Sequence, residues 1–171
     1  LGGPKQGIKY LGDSNLDWGQ DLKQLSSWWE KEGKPPIILS YFGSGSPQYY
    51  DIVYQGCLMS MPRPGEGEII NPENSGKEYF AISATNLQGI YFGNYGKTKP
   101  LSYFLSKKPA KICGSSIYVY DISKDYNAHL LIGAIYRSRG KKELSDAEFR
   151  KAVKINPAAE KIIREYFSKN G

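Results

Sequence analysis

One run of six residues, Ile37-Ile-Leu-Ser-Tyr-Phe42, constrains the fold of this chain more than any other stretch. It is nearly continuous in apolar side chains, with Gly33, Pro35 and Pro36 before it and Gly43-Ser-Gly-Ser-Pro47 after it. A strand that is apolar on both faces must be covered on both, as a parallel strand between helical layers is. The residues upstream agree. Gly7 to Leu11 reads as a short buried strand and Gly12 to Asn15 as a turn, after which Leu22, Leu25, Trp28 and Trp29 recur at helical spacing. Asp17 can cap that helix, with Gln20 in the reciprocal position of a capping box. Strand, helix and strand in this order predict a right-handed β-α-β crossover.

Residues 56–77 break the pattern with Pro62, Pro64, Gly65, Gly67, Pro72 and Gly76, so an irregular excursion with a small hairpin is expected. Glu78 to Ser83 restores a strand, followed by a polar turn to Gly89 and a short helix. Pro100 to Ser106 reads as a helical turn or two, and Ile112 to Ile122 as the closing strand. The sum is an α/β fold with a small, mainly parallel sheet of about four strands flanked by helices.

From Tyr126 the period changes. Tyr126 to Ala159 spans 34 residues and sets Gly133, Tyr136, Gly140, Phe149, Ala152 and Pro157 at tetratricopeptide offsets. Ser145 takes the place of the small packing residue, and His129 stands where the signature Trp belongs, a departure. Ala158 to Phe167 is expected to form a helix capping this hairpin, because one repeat cannot bury its own apolar face. The predicted organisation is therefore an α/β domain over 1–124 and a tetratricopeptide-like hairpin with a capping helix over 125–171.

Composition narrows the function. The net charge of +6 fits a solvated basic face or a position beside anionic headgroups. Basic and aromatic residues do not interleave in any stretch, which speaks against a nucleic-acid partner. Cys57 and Cys113 form no metal-ligand spacing and leave a single disulfide or two buried thiols open. With His129 as the single histidine, a His-based triad or multi-histidine metal centre is not expected. No apolar run reaches the roughly 18 residues of a membrane span. Leu1 reads as the cut end of a longer parent chain.

The segment Gly12-Asp-Ser-Asn-Leu-Asp-Trp-Gly-Gln-Asp-Leu22 resembles the hallmark of soluble C-terminal regions in certain bacterial membrane glycosyltransferases. These belong to the dolichyl-phosphate-mannose-protein mannosyltransferase-like superfamily. Leu39-Ser-Tyr-Phe-Gly43, Ala81-Ile-Ser-Ala-Thr-Asn-Leu-Gln-Gly89 and Gly114-Ser-Ser-Ile-Tyr-Val-Tyr-Asp121 extend the resemblance across residues 8–122. It implies a membrane-embedded part of the parent chain that uses a polyprenyl-phosphate sugar donor. It also implies an extracytoplasmic location for this domain, on the periplasmic or cell-surface side. The catalytic acidic residues of such proteins lie in an early extracytoplasmic loop, so no catalytic residue is carried over. No cofactor is expected.

In an open parallel sheet the loops at the carboxyl ends of the strands converge on one edge. The candidate ligand-binding residues there are Asp13, Asn15, Asp17, Trp18, Asp21, Tyr41, Ser83, Asn86 and Gln88. Carboxylates and carboxamides beside Trp18 and Tyr41 suit the hydroxyls and ring face of a glycan. The same Asp, Asn and Ser side chains equally suit turn and helix-start amides. Asp13-x-Asn15-x-Asp17 mimics the start of a calcium loop, but Gly19 comes one position late and Gln24 replaces the closing Glu, so no metal is expected. The predicted role is glycan or acceptor recognition without catalysis. The alternatives are a scaffold whose hairpin recruits a protein, and an independent carbohydrate-active enzyme centred on Asp13 and Asp17.

Overall fold

A computed structural model describes residues 20–59, 65–89 and 99–170. The predicted strand Gly7 to Leu11 and the turn through Asp17 lie outside the described residues. Helix α1 (Leu22–Lys31) leads to β1 (Ile37–Ser40), a short 3-10 turn (Pro47–Tyr50) and β2 (Gln55–Gly56). Next come β3 (Tyr79–Ser83), α2 (Ala84–Gln88), α3 (Ser102–Leu105), β4 (Lys111–Cys113) and β5 (Ile117–Asp121). Three longer helices close the chain: α4 (Tyr126–Ser138), α5 (Lys142–Ile155) and α6 (Ala159–Asn170).

The predicted α/β class is what the chain adopts. Among the described residues the sheet has five strands in the order β2-β1-β3-β5-β4, with β1 parallel to both β2 and β3. The other half is antiparallel, β5 pairing with β3 and β4 with β5. The stretch from Ile112 to Ile122, read as one closing strand, is folded into a hairpin at Gly114-Ser-Ser116. Gly114 sits at φ +58, and an added Cβ would collide with the Asp21 carboxylate, so a side chain has no room there. β4 thus runs in the direction of β3, and β5 returns between them.

Residues alternate across the sheet with the period of two that a pleated strand imposes. One face presents Ile38, Phe80, Ile82, Tyr118 and Tyr120 to α2, α3 and the C-terminal helices. The other presents Ile37, Leu39, Tyr79, Ala81, Ile117 and Val119 to Leu22, Leu25 and Trp29 of α1. That double coverage is why the Ile37 run carries no exposed apolar face. The Trp29 indole donates to the Pro35 carbonyl at 2.7 Å, fixing the stop of α1 against the start of β1.

The C-terminal hairpin is not an appendage. Ala128, Ile132, Ile135, Tyr136 and Leu144 belong to the same buried cluster as the strand residues of the first face. The change of period at 124/125 is therefore crossed by a continuous core. Gly133 lets α4 approach the Phe149 ring of α5, since a Cβ there would lie 2.6 Å from it. Gly140, at φ +71, closes the turn between them. Phe149 in turn meets Tyr166 and Phe167 of α6, with ring centroids 6.2 and 5.9 Å away.

Cys57 lies in the first cluster and Cys113 in the second, on opposite faces of the sheet. Both are free thiols, so they are not joined to each other. Burial pushes Cys57 up to about 12 and Cys113 up to about 11, which makes them packing residues and not nucleophiles.

Candidate functional site

The carboxyl ends of β1 and β3 lie side by side because the two strands are parallel and in register, Ser40 opposite Ile82. The antiparallel β5 begins at the same edge, with Ile117 opposite Ser83. Loops that follow β1 and β3 therefore meet the Gly114–Ser116 turn. Three of the candidate residues are brought together here, and each is buried: Asp21 to 4%, Ser83 to 0% and Asn86 to 3% exposure.

Their polar atoms are directed inward. Asp21 Oδ2 accepts from the amides of Ser115 and Ser116, both at 2.9 Å, and from the Ser116 hydroxyl at 2.8 Å. The Phe42 amide donates to Ser83 Oγ at 3.0 Å. Asn86 Nδ2 donates to Ser40 Oγ and to the Leu58 carbonyl, both at 2.9 Å. These bonds satisfy backbone groups that the turns would otherwise bury unpaired. Asp21, Ser83 and Asn86 thus build the edge and hold its loops in place.

Tyr41 is also buried, at one wall of a small cleft of about 50 Å³ shared with Gly43-Ser-Gly-Ser-Pro47, Met59 and Glu66. Two residues past the lining Pro47, the Tyr49 ring is 81% exposed and stands edge-on to Tyr50 at 5.1 Å. Gln88 ends α2 and is half-buried. Asp13, Asn15, Asp17 and Trp18 lie outside the described residues.

A second polar cluster, between the sheet and the hairpin, escaped the sequence reading. Glu148 of α5 is fully buried, and its Oε2 lies 2.7 Å from His129 Nδ1. Its Oε1 accepts from Lys151 Nζ at 2.8 Å and Gln55 Nε2 at 3.0 Å. Lys151 also reaches Glu78 Oε1 at 2.8 Å, which Asn71 Nδ2 approaches to 2.9 Å. His129 Nε2 faces the Ile122 carbonyl at 3.1 Å. Both ring nitrogens of His129 thus face oxygen atoms, the Glu148 carboxylate on one side and the Ile122 carbonyl on the other. Tyr136 completes the group, donating to the Gly56 carbonyl at 2.9 Å and accepting from Gln55 at 3.1 Å.

The environment moves these groups apart in acidity. Burial and the Glu148 charge raise Glu78, against the pull of Lys151. Burial also works to raise Glu148, but the His129 hydrogen bond and the Lys151 charge outweigh it and hold the carboxyl below its ordinary value. Burial would lower Lys151, and the two carboxylates more than reverse that. The one sequence signal for this cluster was the departure at His129: a Trp there could fill space but not accept the role of bridging Glu148 and Ile122.

Among the described residues no group of three or more His, Cys, Asp or Glu is placed to hold a metal ion. No described helix is long and apolar enough to cross a membrane. No protein-family model matches the chain, and neither a curated protein nor a solved structure matches it.

Proposed function

We propose that this chain is an accessory domain of a polytopic membrane glycosyltransferase, held on the extracytoplasmic side, where it assists recognition of a glycan or an acceptor protein. The observation that carries this reading is a convergence. The stretches on which the resemblance rests are far apart in sequence, yet the sheet gathers Asp21, Ser40 to Gly43, Ser83 to Gly89 and Gly114 to Ser116 at one edge. The buried members fix the loops, and the loop after β1 carries Ser44, Ser46 and, two residues past Pro47, the exposed Tyr49 ring. A ring face beside polar loop groups suits a pyranose, whose C–H face is apolar and whose rim is polar.

A scaffold role draws support from one feature, the inward hydrogen bonding of Ser83 and Asn86. The test separates the two. The 171-residue chain is examined by saturation-transfer NMR against soluble oligosaccharides, and by product analysis with a polyprenyl-phosphate sugar and free sugar acceptor. Glycan contact that weakens about tenfold in Tyr49→Ala, the scale expected for a lost stacking contact, with no turnover, supports the accessory reading. Turnover by the chain alone overturns it in favour of an independent enzyme. Absence of glycan contact, with hairpin-dependent capture of the membrane part, favours the scaffold.

A further inference from the structure

A pocket of about 320 Å³ opens beside the buried charges, at the end of the sheet opposite the edge described above. Glu78, His129 and Lys151 line it, each at most 4% exposed, together with Asn74, Ser75 and Ile155. We infer that this pocket takes a neutral, polyhydroxylated ligand of about monosaccharide size. The argument rests on valences that the cluster leaves over. Glu148 is saturated, since His129, Lys151 and Gln55 occupy both of its oxygens. Glu78 is not: Oε1 accepts from Lys151 and Asn71, while Oε2 has only His129 Nε2 nearby, at 4.0 Å. Lys151 directs two of its N–H groups to Glu78 and Glu148, and an ammonium has three.

A free carboxylate oxygen and a free ammonium N–H side by side call for a group that donates and accepts at once. A hydroxyl does so, donating to Glu78 Oε2 and accepting from Lys151 Nζ, with both bonds charge-assisted. Charge selects against ions. The lining carries both signs, Glu73 and Glu78 against Lys151 and Lys154, so an ion of either sign meets like charge as well as opposite charge and loses its hydration on entry. Size and lining agree: the volume is at the lower end of small-molecule pockets, Asn74 and Ser75 add neutral polar groups, and Ile155 adds an apolar wall. The site is independent of the glycan edge, and its failure would leave that reading untouched.

The test is NMR titration of the whole chain with glycerol, myo-inositol and an aldohexose, with glycine as a zwitterionic control. Saturable shifts centred on Asn74, Ser75, Ser123 and Lys151 are expected with the cyclic polyols, and none with glycine. Ser75→Trp puts a bulky ring at a half-buried lining position while leaving every charged side chain of the cluster in place, and it should weaken binding about tenfold or more with the melting temperature near wild type. Glu78→Gln should weaken it similarly; if that variant does not fold, Ser75→Trp decides. Shifts that persist in Ser75→Trp, or the absence of saturable shifts, would overturn the site. Saturation by glycine but not by polyols would overturn the neutral-ligand assignment. Tyr49→Ala should leave these shifts unchanged, which distinguishes this pocket from the edge.

Discussion

Asp21 was one of the ligand-binding candidates, and the fold gives its polarity a structural role. It sits at the N-cap of α1 but makes no side-chain cap there. Its Oδ2 instead ties down the β4–β5 turn through two amides and a hydroxyl. A carboxylate that accepts three donors, two of them buried on Ser116, is worth more than an exposed cap, because removing it leaves those donors without partners. Asp21→Ala should therefore cost about 3 kcal/mol in urea unfolding, well above the roughly 1 kcal/mol of a lost cap. A change below the cap value would mean that the turn is held by the strands alone. Asn86 and Ser83 belong to the same class of residue: short, polar, buried and spent on backbone groups.

At the scale of elements, the junction between α4, α5 and the sheet is held by charge as well as by packing. A buried ion pair is weak evidence for net stability, but removing one partner is costly, about 3–5 kcal/mol. The cluster ties His129, Glu148 and Lys151 on the hairpin to Gln55 and Glu78 on the sheet. The pH dependence follows from the directions of shift. Glu148 is held below its ordinary 4.5 in the folded chain, so its contribution is present above that value and lost as the pH falls through the folded one. Glu78 is raised, so the folded chain binds its proton more tightly and its contribution declines as the pH rises from 4.5 through the folded value. Urea midpoints measured from about pH 3 to about pH 7 should show a flatter acid limb in Glu148→Gln and a steeper one in Glu78→Gln. The same slope in both variants would show that neither group is linked to folding.

One core cluster draws on both the sheet and the hairpin, so the two are expected to unfold as one cooperative unit. Removing the chain after Ser123 would strip Ala128, Ile132, Ile135, Tyr136 and Leu144 from that cluster and leave Glu78 and Gln55 without their hairpin partners. Full burial of a large apolar side chain is worth about 1.5–3 kcal/mol, so the loss of Ile132, Ile135, Leu144 and the Tyr136 ring is comparable to the usual net stability of a domain. The truncated chain should show no cooperative thermal transition by calorimetry. A sharp transition near that of the full chain would instead establish the sheet as a separate folding unit.

How much of this could be read from the sequence differs by kind of property. The apolar run at Ile37, the helical spacing of Leu22, Leu25 and Trp29, and the Gly and Pro stops were enough for the α/β class, because burial imprints a period on neighbouring residues. The helical hairpin was legible for the same reason, with Gly133 and Gly140 marking a close approach and a turn. Direction and partnership were not legible. Whether Ile112 to Ile122 was one strand or a hairpin depended on Asp21, more than ninety residues away from the turn it holds. Whether Cys57 could meet Cys113 depended on which face of the sheet each one occupied. The His129, Glu148, Lys151 and Glu78 cluster joins groups up to 93 residues apart, counting Gln55. Such pairings exist only after several loops have closed, and no local periodicity records where a loop will bring its far end.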